Sequence, residues 1–391
     1  MSPEGIGSRA GISAGRPGEW PDGFVRTRAD HDALLALSHV VTMVPSELHA
    51  LAWRQGTARQ CLEALLGGRA GTDTDRAIVA GVDTSRVRAT LERAGVRTAC
   101  PGDDEYPAML LDLPDPPACL FLRGSSTARW PSAVAMVGAR ACTPYGREVA
   151  ASLASRLAAA GLVVVSGAAR GIDTAAHRGA LEGGGRTAAV LGSGIDVPYP
   201  RRNRGLFEEI AERGVIISEY PPGSPAVPRR FPARNRIVAA LSGGVIVVEG
   251  AERSGSLITA EFAEDLGREV MAVPGPVNGP LSAAPNQLIR DGASLVTSAG
   301  DVFDSLGMVG RLDGAPPSSK LPSPPSPALD PDAKLMLSRV PGSPVTLDAL
   351  AFSAGMDPAT ALRTLAALEL HGLVREEGGR YRRAGDRETA R

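Results

Sequence analysis

Lysine is nearly missing from this chain: of 42 basic residues only Lys320 and Lys334 are lysines, and the rest are arginine. Together with the excess of Ala and Gly, this bias points first to genome composition, although a planar guanidinium fork suits any phosphate that does bind. Cysteine is scarce as well. Cys61, Cys100, Cys119 and Cys142 stand too far apart for a C-x-x-C, and the five histidines show no metal-ligand spacing. Neither a metal site nor a disulfide framework is therefore expected, and no cofactor. No run of about 18 apolar residues occurs and the N-terminus has no apolar core of a signal peptide. Secretion and membrane spanning are disfavoured, and a cytoplasmic protein is expected. Charge of one sign is missing too: 42 basic against 43 acidic residues leave a net charge of −1. No global positive field draws in nucleic acid, so any such binding must use a local patch.

What is present suffices for several folded domains. The 391 residues are 43% hydrophobic and 22% charged, near the globular average. Residues 1–28 are rich in Gly, Ser, Arg and Pro without an apolar period and read as a tail. From about residue 29 to 98, stretches such as HDALLALSHVV, PSELHALAWR and RQCLEALLGG repeat apolar residues every three or four positions, as a small helical, SAM-like module would. Five prolines in residues 99–124 exclude a long helix there, and the segment reads as an extended connector, 99–132, into the next domain.

From Ala133 to about Leu306, apolar strands alternate with helices: AVAMVG, LVVVSG, TAAVLG, GVIISEY, GVIVVEG and EVMAVPG. Strands apolar on both faces belong to a parallel sheet covered on each side, so the core at 99–306 is an α/β doubly wound, Rossmann-like sheet. Residues 307–329 hold six prolines among Gly and Ser and read as a linker. Residues 330–391 carry three helical patterns, the last opening at Asp357 and Pro358, then LVREEGGRYRRA, a hairpin turning at Gly378 and Gly379. That order predicts a winged helix-turn-helix.

In an open parallel sheet, ligands bind beyond the carboxyl ends of the strands, where helix N-termini offer unpaired N–H groups. The first core strand ends in Val137, Gly138, Ala139 and Arg140, without the G-x-G-x-x-G of a dinucleotide site. The second runs into SGAARGID, where Gly167 and Gly171 free the backbone, Ser166 brings a hydroxyl and Arg170 a charge. These residues fit a phosphate cradle or a plain Gly-rich turn with Arg170 solvated. Asp173 and His177 stand at i and i+4 on the following helix; an acid–base pair is one reading, a structural, orienting role the favoured one. Ser254, Gly255 and Ser256 open a later helix as a second candidate cradle. Residues 201–236 hold eight arginines against four glutamates, interleaved with Tyr220 and Phe231 and preceded by Tyr199. Arginines beside stacking rings are what a single strand needs, and a solvated helix face with core aromatics is the alternative.

At these residues the sequence resembles the DprA/Smf family of bacterial DNA-processing proteins. The resemblance covers most of 105–295 and rests on strings in a fixed order: YPAMLLDLPDPP at 106–117, VGAR at 137–140, SGAARGID at 166–173, GSGIDVPYPRRN at 192–203, SEYPPG at 218–223, FPARNRIVAALS at 231–242, SGSLITAEFA at 254–263, and VPG at 273–275 followed by NQLIRDGA at 286–293. It implies an extended Rossmann-like core that binds single-stranded DNA, forms a homodimer, helps load RecA in recombination and natural transformation, and catalyses no reaction. Carried over position by position, Gly138, Arg140, Ser166, Gly167, Arg170, Gly171, Arg234, Asn235, Arg236 and Ser254 to Ser256, including Gly255, line the pocket for DNA phosphates. VVTMVPSELHALAW lacks the Gly-rich hairpin turn often found in the family's N-terminal module, and Ala284 and Pro285 stand where a Gly is frequent. The candidate recognition helix from Pro358 has only Arg363 as a basic residue, which argues against major-groove reading.

The core is also similar to LOG-type nucleotide phosphoribohydrolases, whose P-G-G-x-G-T-x-x-E motif supplies a catalytic glutamate. Aligning Gly255 and Ser256 with its G-T places Thr259 at that glutamate, and no P-G-G precedes it. A non-DNA protein scaffold would leave the two cradles and the arginine cluster unexplained, and ranks between DNA binding and catalysis.

Overall fold

The computed structural model describes residues 18–40, 43–128, 130–308, 330–370 and 373–383. Residues 309–329 of the linker expected at 307–329, the tail before residue 18 and the last eight residues lie outside them. The chain divides into two units, Met1–Pro316 and Pro317–Arg391.

The first unit opens with five short helices, α1 (Arg28–Leu37), α2 (Pro45–Gln55), α3 (Ala58–Leu66), α4 (Asp73–Ala80) and α5 (Thr84–Arg93). Their starts are set by side-chain caps: Thr27, Thr57 and Thr72 each accept from the third helical N–H, and the residue at that position bonds back. Such reciprocal caps satisfy donors a short helix otherwise leaves open. The expected tail is shorter than 28 residues. Trp20 and Phe24 stack at 4.5 Å and are buried in the helical module. Two lone aromatics carry no periodicity, so only their burial reveals that residues 18–28 belong to the fold.

The helical pattern also ends before residue 98, because β1 (Val96–Ala99) and β2 (Leu120–Gly124) form an antiparallel hairpin at the edge of the main sheet. The connector is thus partly sheet: β2 pairs antiparallel with a core strand, and its Phe121 and Leu122 are fully buried. Helical module and sheet edge share one apolar cluster, with Leu34, Leu37 and Leu65 packed in the same group as Phe121, Phe207 and Ile210.

The remaining strands are β3 (Ala133–Val137), β4 (Val163–Ser166), β5 (Thr187–Leu191), β6 (Val215–Ser218), β7 (Gly244–Val247), β8 (Glu269–Ala272) and β9 (Ser294–Leu295). They lie in the order β1-β2-β6-β5-β4-β3-β7-β8-β9, parallel from β6 through β9. All six apolar runs form strands. Helices α6 (Pro144–Ala159), α7 (Ile172–Glu182), α8 (Arg204–Arg213), α9 (Arg230–Ala240), α10 (Gly255–Asp265), α11 (Ala283–Arg290) and α12 (Ala299–Ser305) complete the unit. The chain begins its parallel sheet in the middle, at β3, winds outward through β4, β5 and β6, then returns to β7 on the other side. The switch point therefore lies between the carboxyl ends of β3 and β7.

Burial of both sheet faces holds this unit together. Val134, Val164, Val190 and Ile246 are all fully buried, each contributing roughly 1.5–3 kcal/mol by leaving water. Helices α6 and α7 come close enough that a Cβ on Gly179 would sit 2.1 Å from the Ala151 carbonyl oxygen.

In the second unit, α13 (Pro331–Arg339), β10 (Val345–Thr346), α14 (Leu347–Ala354), α15 (Pro358–Leu370), β11 (Val374–Glu377) and β12 (Arg380–Arg383) build three helices and a three-stranded sheet. Asp357 caps α15 by accepting from the Ala359 and Thr360 N–H groups, each at 3.1 Å. Gly378 and Gly379 both take positive φ, as the tight turn between β11 and β12 requires. Among the described residues no helix is long and apolar enough to cross a membrane.

Candidate nucleic-acid interface

The loops after β3, β4 and β5 and the start of α9 meet at the carboxyl edge of the sheet. The first two loops do not present open phosphate cradles, because the protein fills them with its own carboxylates. Glu249, buried just after β7, accepts from the Thr143 N–H at 2.9 Å and from the Thr143 hydroxyl at 2.6 Å. Thr143 in turn caps α6 through Gly146, so the helix end at the switch point already holds a negative charge. A Cβ on Gly146 would lie 2.2 Å from that carboxyl carbon.

The SGAARGID loop is closed in the same way. Asp173, buried on α7, accepts from the Ala169 N–H at 3.2 Å. Ala168 sits in the left-handed region at φ 55°, which turns the loop backbone round this carboxylate. Burial raises the Asp173 pKa, and the Arg234 guanidinium opposes the rise. The Ser166 hydroxyl donates to the Met136 carbonyl at 2.7 Å and ties β4 to β3. Gly138 and Gly171 are close-approach positions: a Cβ would strike Ile172 and Glu249 at the first, and the Ala139 carbonyl at the second.

Asp173 and His177 do not pair. The buried His177 Nδ1 lies 2.6 Å from the Thr187 hydroxyl, whose own proton goes to the Val164 carbonyl. The imidazole must therefore donate from Nδ1, and burial pushes its pKa down to about 3. It is a neutral strut between α7 and β5.

The arginines separate by burial. Arg234 is fully enclosed, donates to the Gly167 and Val190 carbonyls, and has its pKa lowered to about 10 by burial. A Cβ on Gly167 would collide with its guanidinium. Arg236, expected with it in the pocket, is instead held between Asp115 at 3.1 Å and Glu219 at 2.6 Å, with its side chain 6% exposed. Burial works against its charge, but the two carboxylates more than offset this and raise its pKa. Arg230 bonds the Pro225 carbonyl and lies over Tyr220 at 4.4 Å, and Arg213 bonds the Leu181 carbonyl. Arg140, Arg170, Arg201, Arg202, Arg204 and Arg229 remain exposed.

Two rings stand among these exposed charges. The Arg140 guanidinium carbon lies 5.3 Å from the Phe231 ring centre, and Phe231 lies 5.2 Å from Tyr199, which is 48% exposed. Gly192, at the end of β5, leaves room for this: a Cβ there would come within 3.0 Å of Phe231. On the other side, the Asn235 amide donates to the Gly255 carbonyl at 3.2 Å and joins α9 to the start of α10. There Ser254 caps Ser256, with their hydroxyls 2.8 Å apart. The predicted residues thus fall along one edge, but Arg140 and Arg170 are the arginines among them that face outward.

The family model for DNA recombination-mediator protein A matches residues 97–307, and that for the DprA winged helix domain matches residues 320–380. The chain belongs to the DprA/Smf family. It is 38% identical over 283 residues to protein Smf of Escherichia coli, covering 72% of this chain and 76% of that protein. It is 47% identical over 202 residues to the DNA processing protein DprA of Streptococcus pneumoniae, covering 51% and 71%. The X-ray structure of that pneumococcal DprA is similar with a TM-score of 0.58 at 35% identity, over 72% of this chain and 98% of that chain. Membership explains why the parallel core and the winged helix occur in one chain. In this DprA/Smf core, sequence reasoning missed that Glu249 occupies the N-terminus of α6. A signal for Glu249 was present: a carboxylate directly after the apolar run GVIVV has no water to face.

Proposed function

We propose that this DprA/Smf chain binds single-stranded DNA along the carboxyl edge of its sheet and delivers it to RecA in recombination and transformation. The observation that carries this reading is the row formed by Arg140, Phe231 and Tyr199, with the exposed Arg201, Arg202 and Arg229 within a few residues of its rings along the chain. A single strand offers phosphates to the arginines and unpaired bases to the rings; a duplex hides its bases. With the SGAARGID loop and the α6 N-terminus taken by carboxylates, recognition falls largely to flexible side chains, which suits a ligand of variable sequence.

The same geometry speaks against catalysis and against a nucleotide ligand at the switch point. His177 is buried and neutral, Asp173 is committed to the loop backbone, and a nucleotide phosphate at α6 would meet the Glu249 charge. Thr259, at the place of the hydrolase glutamate, is buried and has no carboxylate. Homodimerisation through the core, the RecA partnership and a cytoplasmic location rest on the family resemblance.

The test is fluorescence anisotropy with labelled oligo-dT and a matched duplex. Tight binding to the single strand and weaker binding to the duplex support the proposal, as does faster RecA-dependent ATP hydrolysis on DNA carrying the protein. Equal affinity for both DNA forms, or no binding at low salt, overturns it.

A further inference from the structure

At the β1 end of the sheet, where the helical module meets it, four side chains of metal-ligating type come from three segments. Cys100-Pro101-Gly102-Asp103 is a tight turn directly after β1, closed by the Asp103 N–H donating to the Cys100 carbonyl at 2.9 Å. Proline at the second position and Gly102 at φ 99° are what a type II turn demands. The turn sets Cys100 and Asp103 side by side, and one Asp103 oxygen accepts from the Cys100 N–H at 2.8 Å. The other Asp103 oxygen lies 3.7 Å from His31 Nε2, on the first turn of α1. One ligand atom from each of His31, Cys100 and Asp103 lies within 4.8 Å of the others.

A second thiol stands beside this group. The register of β1 and β2 sets Ala99 opposite Leu120, so Cys100 and Cys119 follow as the next facing pair. Both are buried, and the Cys119 thiol faces the Leu120 carbonyl at 3.9 Å. The nearby Arg88 is ion-paired with Asp32.

We propose that His31, Cys100, Asp103 and Cys119 form a site for a divalent, borderline-soft cation, Zn²⁺ above all, which staples α1 to the β1–β2 edge. Two sulfurs, one imidazole and one carboxylate are a donor set that tetrahedral Zn²⁺ accepts. Bond lengths of about 2.0–2.3 Å to zinc separate its ligands by roughly 3.3–3.8 Å, and one ligand atom from each of His31, Cys100 and Asp103 already lies within 4.8 Å of the others. The bond from the Cys100 N–H to one Asp103 oxygen acts as the outer support that orients the other oxygen toward the ion. Linear spacing hides the site, because its ligands come from a helix, a turn and the residue before a strand.

The experiment uses the full chain, produced in zinc-supplemented medium and also stripped with a chelator. Metal analysis should find about one zinc per chain before stripping. The stripped protein should then bind Co²⁺ with the d–d bands of a tetrahedral ion and a thiolate-to-cobalt charge-transfer band. Cys100→Ser, Cys119→Ser and His31→Gln should each weaken Zn²⁺ binding by at least about 100-fold, against the 10- to 100-fold typical of outer-shell losses. Cys61→Ser, at a buried thiol on α3, should leave it unchanged. Should Cys100→Ser fail to fold, Asp103→Asn, at a partly exposed position, carries the test with the same cobalt readout. Zinc-free wild type that shows no thiolate–cobalt band overturns the proposal. So does Cys100 joined to Cys119 in the purified protein, seen as an intact mass lighter by two hydrogens, or wild-type zinc affinity in either cysteine variant.

Discussion

Arg236→Ala tests whether burial or residue type decides what an arginine does here. The Arg236 side chain is 6% exposed and bonds Glu219, itself 13% exposed, at 2.6 Å, and Asp115 at 3.1 Å. Removing one partner of a buried ion pair leaves the other charge without compensation, at a cost of about 3–5 kcal/mol. In this case the stranded group is Glu219, which follows β6 directly and sits under α9. Trp130 is a built-in reporter for this region, since its indole N–H donates to the Leu241 carbonyl at the end of α9 at 2.9 Å. Urea unfolding of the Met1–Pro316 unit followed by that tryptophan, with Trp20 and Trp53 replaced by Phe in both proteins compared, isolates the effect. With a slope of about 3 kcal/mol per molar urea, the midpoint should fall by about 1–1.7 M. Adding Glu219→Gln should recover part of the loss, because the stranded charge is then gone. The reasoning is refuted if Arg236→Ala unfolds within about 0.3 M of the parent yet loses about tenfold or more in oligo-dT affinity. That result would place Arg236 on DNA rather than in the core.

Two further substitutions probe the groups that occupy the loops. Glu249→Ala removes two acceptor contacts to Thr143 and should cost about 2–4 kcal/mol. It should also open the α6 N-terminus to anions, so that sulfate raises the melting temperature of the variant more than that of the parent; an equal response in both contradicts the account. His177 supplies a pH signature. Its folded pKa is pushed down to about 3, so between pH 6.5 and 3 the unfolded chain binds a proton that the native chain refuses. Stability should fall as pH falls through this window by about 1.4 kcal/mol per unit from this group. His177→Gln should flatten the slope by that amount, as unfolding curves at pH 6 and pH 5 would show; an unchanged slope excludes the buried neutral imidazole.

The parallel sheet was legible because strands buried on both faces must be apolar throughout, and six such runs stand out between helical patterns. The β1–β2 hairpin was not. Its residues are embedded among prolines, and LFL in β2 is too short to distinguish from a connector. Trp20 and Phe24 were assigned to the tail because single aromatics gain meaning only from what they pack against.

At the site, residue type located the edge but not the roles. Arg140 and Arg236 look alike in a sequence. Only the fold brings Asp115, 121 positions away, to the second and leaves the first beside Phe231 in solvent. The glycines of SGAARGID were rightly read as backbone freedom, but that freedom serves an internal carboxylate four residues on from Ala169. The sequence could not tell whether the negative charge in the loop is a ligand's or the protein's own.

The central claim is that the outward arginines beside Phe231 and Tyr199 hold DNA phosphates, and salt dependence measures it most directly. Oligo-dT affinity of the parent and of Arg140→Ala/Arg170→Ala should be measured at several salt concentrations, with unfolding curves confirming an unchanged fold. Each phosphate contact on a single strand contributes about 0.7 to the slope of log affinity against log salt. The double variant should therefore bind at least about tenfold more weakly, with a slope smaller by about 1.4. Parent affinity and parent slope in the double variant would contradict the account.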